Sequence, residues 1–284
     1  MTNKTVIHRV GFAAGLRWLP AGAELLAAGF GPMAGIASLW LLLSMVAIVV
    51  PVIGQLALVL FTPLLTAGVL IAFHHLRQGQ PVTPFTLFAA WQDPARRTGL
   101  ILLGLVTILG SMFAATVLLG WMSSQLTQTD LEAAMQDPEA LLDALAGTSL
   151  GGGLIMALII FSLMLGAIYF AIPLVSFAGW PVWPAMLASI RAIFANWAAF
   201  LGFGLVFMLF AAALGLMLAL VVSLLGLALG QAGLVISQVL ILLATMLVQV
   251  LMAGVQYVAF SQVFGWSQSS TGQSDGASED QLIA

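Results

Sequence analysis

Trp197 to Phe264 reads WAAFLGFGLVFMLFAAALGLMLALVVSLLGLALGQAGLVISQVLILLATMLVQVLMAGVQYVAFSQVF, 68 residues with no Asp, Glu, Lys, Arg or His. It is the centre of a charge-free run from Ala192 to Ser274, 83 residues long. A helix crosses the roughly 30 Å hydrocarbon core of a bilayer in about 20 apolar residues, at about 1.5 Å per residue. The run therefore holds two spans. GLALGQAG, Gly226 to Gly233, is the natural turn between spans near Trp197 to Leu225 and Leu234 to Phe264.

Three further charge gaps flank it: Leu25 to Leu76 (52 residues), Thr98 to Thr129 (32) and Ala144 to Ile190 (47). Pro51, Gly54 and Gln55 divide the first gap into runs from Ala34 to Val50 and from Leu56 to about Phe73. The second gap holds a span near Leu100 to Met122, and the third one near Leu154 to Ala178. Only 6% of the 284 residues are charged and 62% are hydrophobic, with mean hydropathy +1.15. Soluble domains carry about 25% charge, so a water-soluble globule is excluded. The expected fold is an all-α integral membrane bundle of about six transmembrane helices, with the two longest helices tilted or extending past the bilayer.

Charge position sets the orientation. Lys and Arg are retained on the cytoplasmic side near span ends. Lys4, Arg9 and Arg17 precede the first span, Arg77, Arg96 and Arg97 lie between the second and third, and Arg191 lies between the fourth and fifth. With both termini cytoplasmic, all seven bases fall inside. The opposite face receives residues 123–153, which hold Asp130, Glu132, Asp137, Glu139 and Asp143 and no base. The organisation is then a cytoplasmic N-terminus with an interfacial helix (1–33), a six-span domain (34–266) and a polar, Gly/Ser-rich disordered cytoplasmic tail (267–284).

The N-terminal segment is interrupted by Arg17, Pro20 and Glu24, unlike a cleaved signal peptide. It reads as an interfacial helix with Phe12, Leu16, Leu19, Leu25 and Leu26 toward the apolar phase and Arg17 at the headgroups. Cysteine is absent, which excludes disulfides and thiolate metal sites.

The two larger cytoplasmic connections match at an offset of 100. Gly79 to Leu87 reads GQPVTPFTL and Gly179 to Leu187 reads GWPVWPAML. Each is a helix exit, an extended Pro-Val-x-Pro turn and a short interfacial helix leading to the next span. Aromatic and basic anchors accompany both copies: Phe85, Phe88, Trp91, Arg96 and Arg97 in one, Trp183, Phe194, Trp197 and Arg191 in the other. Together with Arg17 and Arg77 they form the expected inner-leaflet anchors. Both copies face the same side, so the repeat is parallel. The N-terminal helix before the first hairpin reads as a more divergent third copy.

GLRWLPAGAELL (15–26), PVIGQLALVLFTPLLTAGVLIAFHHLRQGQPV (51–82) and YFAIPLVSFAGWPVWPAMLASIRAIFANWAAFLGFGL (169–205) resemble an uncharacterised family of proteobacterial multi-pass inner-membrane proteins. The resemblance covers roughly residues 9 to 264 and implies a bacterial inner-membrane protein. It carries no activity and no functional residue.

Candidate chemistry is sparse. His74 and His75 are adjacent, so they point about 100° apart and read as interfacial anchors ahead of metal ligands. Gln231, Gln238, Thr245, Gln249 and Gln256 fall on one helical stripe. The stripe reads as a polar bundle lining, serving interhelical hydrogen bonds ahead of a substrate path because no ionisable residue joins it. In the outer segment, Thr129 with Glu132 and Asp137 with Pro138 are helix-start signals; its carboxylates lack the calcium-loop pattern and read as a solvated helical lid. Small residues at Gly226 and Gly230, Gly202 and Gly204, and Ala211 to Ala213 offer close packing surfaces within or between chains.

No HExxH, Gly-x-Ser-x-Gly or Walker loop is present, and no intramembrane carboxylate pair. The expectation is a non-catalytic membrane protein without cofactor, binding the bilayer, anionic lipid or a membrane partner, which includes a homo-oligomer, and no nucleic acid. The alternative is a small transporter or channel with a glutamine-lined path.

Overall fold

A computed structural model describes residues 7–125 and 151–266. Among these the chain is all helical, without strands. The helices are α1 (Phe12–Ala28), α2 (Phe30–Val49), α3 (Ile53–Arg77), a 3₁₀ segment (Pro84–Trp91), α4 (Pro94–Gln125), α5 (Gly151–Tyr169), α6 (Ala171–Ala178), α7 (Val182–Ala195), α8 (Trp197–Leu229) and α9 (Gln231–Phe264). Six stretches are long and apolar enough to cross a membrane: α2, α3, α4, α5 with α6, α8 and α9. They mark the chain as a multi-pass membrane protein. At 33 and 34 residues, α8 and α9 are each about 50 Å long, well beyond the roughly 30 Å hydrocarbon core.

The expected turns are shorter than their glycines suggest. The α2–α3 break is Val50 to Val52, and Gly54 lies inside α3, where a Cβ would collide with the Ala47 carbonyl of α2. Likewise Gly230 alone breaks the last hairpin, at φ +56, while Gly233 sits inside α9 against the Leu225 carbonyl. In both cases the small residue permits helix contact and does not form the turn. Gly79 (φ +68) and Gly179 (φ +64) do end helices in the left-handed region that favours glycine.

The fourth span is broken in a way its sequence explains. Pro173 has no N–H, so the Tyr169 carbonyl four residues earlier loses its helical donor. The Gln256 side-chain amide of α9 donates to that carbonyl instead. One residue on, the Phe170 N–H donates to Ser189 Oγ of α7 at 2.9 Å, and that hydroxyl donates to the Gly166 carbonyl. A serine hydroxyl inserted into the i→i−4 ladder, beside a proline, is a recognised cause of a sharp bend.

Short elements wedge against the long hairpins. The 3₁₀ segment packs along α3 and α2, α7 along α5 and α6, and α1 along α8 and α9. Gly15 of α1 meets the Ala199 backbone, and Gly68 of α3 meets the Leu87 backbone; neither site has room for a Cβ. Trp18 and Leu19 of α1 are buried against protein, and Phe12 and Leu16 are exposed on its other side. The core lies at the base-rich end, around Val250–Phe264 of α9, with Phe170, Phe177, Phe260, Phe264 and Trp266 in ring contact.

The bend yields a compensation test. Gln256→Leu should destabilise the folded protein by about 1–3 kcal/mol, since it leaves the Tyr169 carbonyl unmet. In a Pro173→Ala background the restored N–H can meet that carbonyl, and the cost of Gln256→Leu should fall to less than half in a thermal or denaturant titration in detergent.

Candidate functional site

The α3 end, the α9 end and α1 converge on one face of the bundle. His74, in the last turn of α3, has Nδ1 at 3.0 Å from the Tyr257 hydroxyl and Nε2 at 2.9 Å from Gln78 Nε2. The His74 ring thus bridges the Tyr257 hydroxyl and the Gln78 side-chain amide, one ring nitrogen donating and the other accepting. The His74 ring also packs on Phe177, with centroids 5.4 Å apart. His74 is thus fixed by protein partners and joins α3 to α9; the sequence reading of a simple interfacial anchor missed this role. Arg77, one helical turn on, lies against the same Tyr257 hydroxyl.

Beside this junction lies a polar cleft of about 730 Å3. Arg77 enters it from α3, Glu24 from α1, Ser261 and Gln262 from α9, and His8 from the segment before α1. Ala21, Leu25 and Val258 form apolar walls. Trp18 Nε1 donates to Gln262 Oε1 at 2.9 Å, so the amide's acceptor is occupied and its NH2 group remains as a donor. The segment before α1 is strapped down at two points: the His8 N–H donates to the Val263 carbonyl at 2.8 Å, and the Val10 N–H to Asn196 Oδ1 at 2.7 Å. Asn196 is buried between α7 and α8 and also donates to the Ala192 carbonyl. The cleft therefore presents a guanidinium from α3, an amide NH2 from α9 and a carboxylate from α1, with no ion pair joining Arg77 to Glu24.

The other expected anchors are distributed around the same end. Arg17 and Arg191 are exposed, as are Trp183 and Trp197, at 68% and 65%. Arg97 is half-buried. Trp91 is half-buried between Phe61 and Phe88. Asp93 caps α4, accepting from the Ala95 N–H at 3.0 Å and pairing with Arg96 at 2.9 Å. Arg96 also lines a smaller recess of about 350 Å3 with Trp180 and Gly179. Only Arg77 of this set enters the main cleft.

The glutamine stripe is split. Gln256 is buried and bonded to Tyr169, and Gln249 is half-buried. Gln231, Gln238 and Thr245 are exposed. The five do not form one inward lining, and none lines the cleft. The acidic segment's Asp130, Glu132, Asp137, Glu139 and Asp143, and the tail from 267, lie outside the described residues. Sequence reading missed Trp18, Glu24, Ser189 and Gln262 as partners, although Glu24 in an apolar helix is itself a signal. No protein-family model, curated protein or solved structure matches the chain.

The His74–Tyr257 junction predicts energetic coupling. His74→Ala and Tyr257→Phe should each cost about 0.5–1.5 kcal/mol, and the double variant should cost less than their sum. A double-mutant cycle on thermal unfolding reads this.

Proposed function

We propose that the protein is a non-catalytic multi-pass protein of the bacterial inner membrane that binds phospholipid headgroups at its base-rich, cytoplasmic end. The observation that supports this reading is the cleft in which Arg77 and Glu24 face one space from different helices. A headgroup phosphate fits the guanidinium and the Gln262 amide, since charge-assisted bonds to arginine favour phosphate oxygens. Glu24 then receives a primary ammonium. The complementary ligand is zwitterionic, with phosphate and amine a few bonds apart, and the apolar walls take the start of the acyl region.

Around the cleft, the bases Arg17, Arg96, Arg97 and Arg191 with Trp91, Trp183 and Trp197 act as inner-leaflet anchors. A base near an anionic surface contributes about 1 kcal/mol, so this ring draws anionic lipid without selecting one headgroup. Orientation follows from the positive-inside rule. The join between His8 and Val263 holds the start of α1 and the end of α9 on one face, in keeping with an even number of spans and two cytoplasmic termini.

The parallel repeat belongs to the same reading. Each short element (α1, the 3₁₀ segment and α7) packs on the hairpin that precedes it in cyclic order. Gly79 and Gly179 share a left-handed conformation before matching Pro-Val-x-Pro turns. Three interfacial-helix-plus-hairpin units, with α1 closing onto the last, account for both features.

Lipid retention measured by native mass spectrometry tests the headgroup reading. The wild type should retain phosphatidylethanolamine over phosphatidylglycerol. Arg77→Gln should lower retention of phospholipid about tenfold or more, the loss expected of a charge-assisted hydrogen bond. Glu24→Gln should abolish the preference for the primary amine while leaving phosphate binding. Unchanged retention in both variants would assign the bound lipid to another surface.

A further inference from the structure

The turn-side half of α9 carries polar side chains on its outer surface. Gln231 and Gln238 are exposed, and neither side chain has a hydrogen-bond partner among the described residues. Each amide holds two donors and an acceptor. Gln231 opens α9 at the turn, where a helix of this length reaches past the hydrocarbon, but Gln238 lies about 10 Å deeper, where an amide left unmet against lipid is costly. Thr245, the next member of the line, turns its hydroxyl inward to the Ile241 carbonyl at 2.8 Å.

The spacing identifies what would satisfy them. Gln231, Gln238 and Thr245 recur every seven residues, and Leu234, Ile241 and Val248 recur three residues after each. That is the a and d pattern of a two-helix seam, with polar a positions of the kind that fix register in parallel dimers. Leu234 and Ile241 are exposed at 45% and 41%, so the seam is open along most of its length. Two copies of one chain enter a membrane the same way up, which makes neighbouring α9 helices parallel. A two-fold axis along the membrane normal then sets each residue opposite its own copy. Glutamine is self-complementary in that arrangement: each amide donates to the carbonyl of its counterpart and accepts in return.

We propose that the turn-side half of α9 is a self-association surface on which a second copy of this chain packs in parallel, with Gln231 and Gln238 paired across the seam. The proposal is independent of the headgroup cleft, which lies at the other end of the molecule.

The chain contains no cysteine, so single cysteines report without further change. Variants with cysteine at 231, 238 and 245, and controls at 240 and 243, are oxidised in native membranes. Leu240 and Leu243 are exposed but lie on the other side of the same helix. The expected result is disulfide-linked dimer at 231, 238 and 245 and little at 240 and 243. Gln238→Leu should weaken the dimer about three- to tenfold in detergent, from the loss of one or two interhelical hydrogen bonds, and Gln238→Asn should restore part of it. Equal cross-linking at all five positions overturns the proposal. So does reaction of the 238 cysteine with a charged, water-soluble thiol reagent without dimer formation, which marks a water-filled path. Cross-linking to a chain of different mass overturns it in favour of another partner.

Discussion

Inside hydrocarbon there is no water to bond a peptide group, so every N–H and C=O released from a helix must find a partner within the protein. The bend between α5 and α6 is where this constraint acts most visibly. Pro173 frees one carbonyl and the bend frees an amide and a further carbonyl; Gln256 and Ser189 meet them from two other elements. These bonds tie the fourth span to α7 and α9 at one depth. With α9 fixed there, its last turns form the core at the base-rich end, and Tyr257, Ser261 and Gln262 are held at the rim of the cleft. A break in one helix thereby sets the position of a surface built mainly by three others.

The two ends of the bundle are built differently. At the base-rich end, aromatic rings from α3, α6 and α9 interlock, and short helices fill the spaces between hairpins. At the turn-side end the hairpins separate, and Leu209, Leu216, Leu220 and Leu227 of α8 are mostly exposed. Leucine costs nothing against lipid tails, so separation there carries no hydrophobic penalty. Glutamine does not share that indifference, which is why its position on α9 is informative and that of the leucines is not.

Much of the architecture was legible in the sequence because charge is scarce. Gaps between ionisable residues located all six long helices to within a few residues. Glycine was harder to read, since it serves both turns and close contacts: Gly54 and Gly233 look like turn residues and are contact residues. Periodicity places the glutamines on a common face without saying what that face meets. Gln256 bonds to α5, and Gln238, on the same line, is exposed and has no hydrogen-bond partner among the described residues. The cleft was not legible at all. Its residues come from positions 8, 24, 77, 261 and 262, and only the packing of α1 onto the last hairpin brings them within reach of one ligand.

That packing has a consequence for synthesis. The Trp18 side chain finds its partner 244 residues later, and the Val10 N–H finds its partner 186 residues later. At about 5–20 residues per second, α1 waits on the order of ten seconds to a minute for the surface it will cover. Until then its tryptophan, glutamate and arginine have only the membrane interface and the growing chain around them. A helix made before all six spans is thus among the last to reach its final place, and its docking reports that α8 and α9 have been made and inserted.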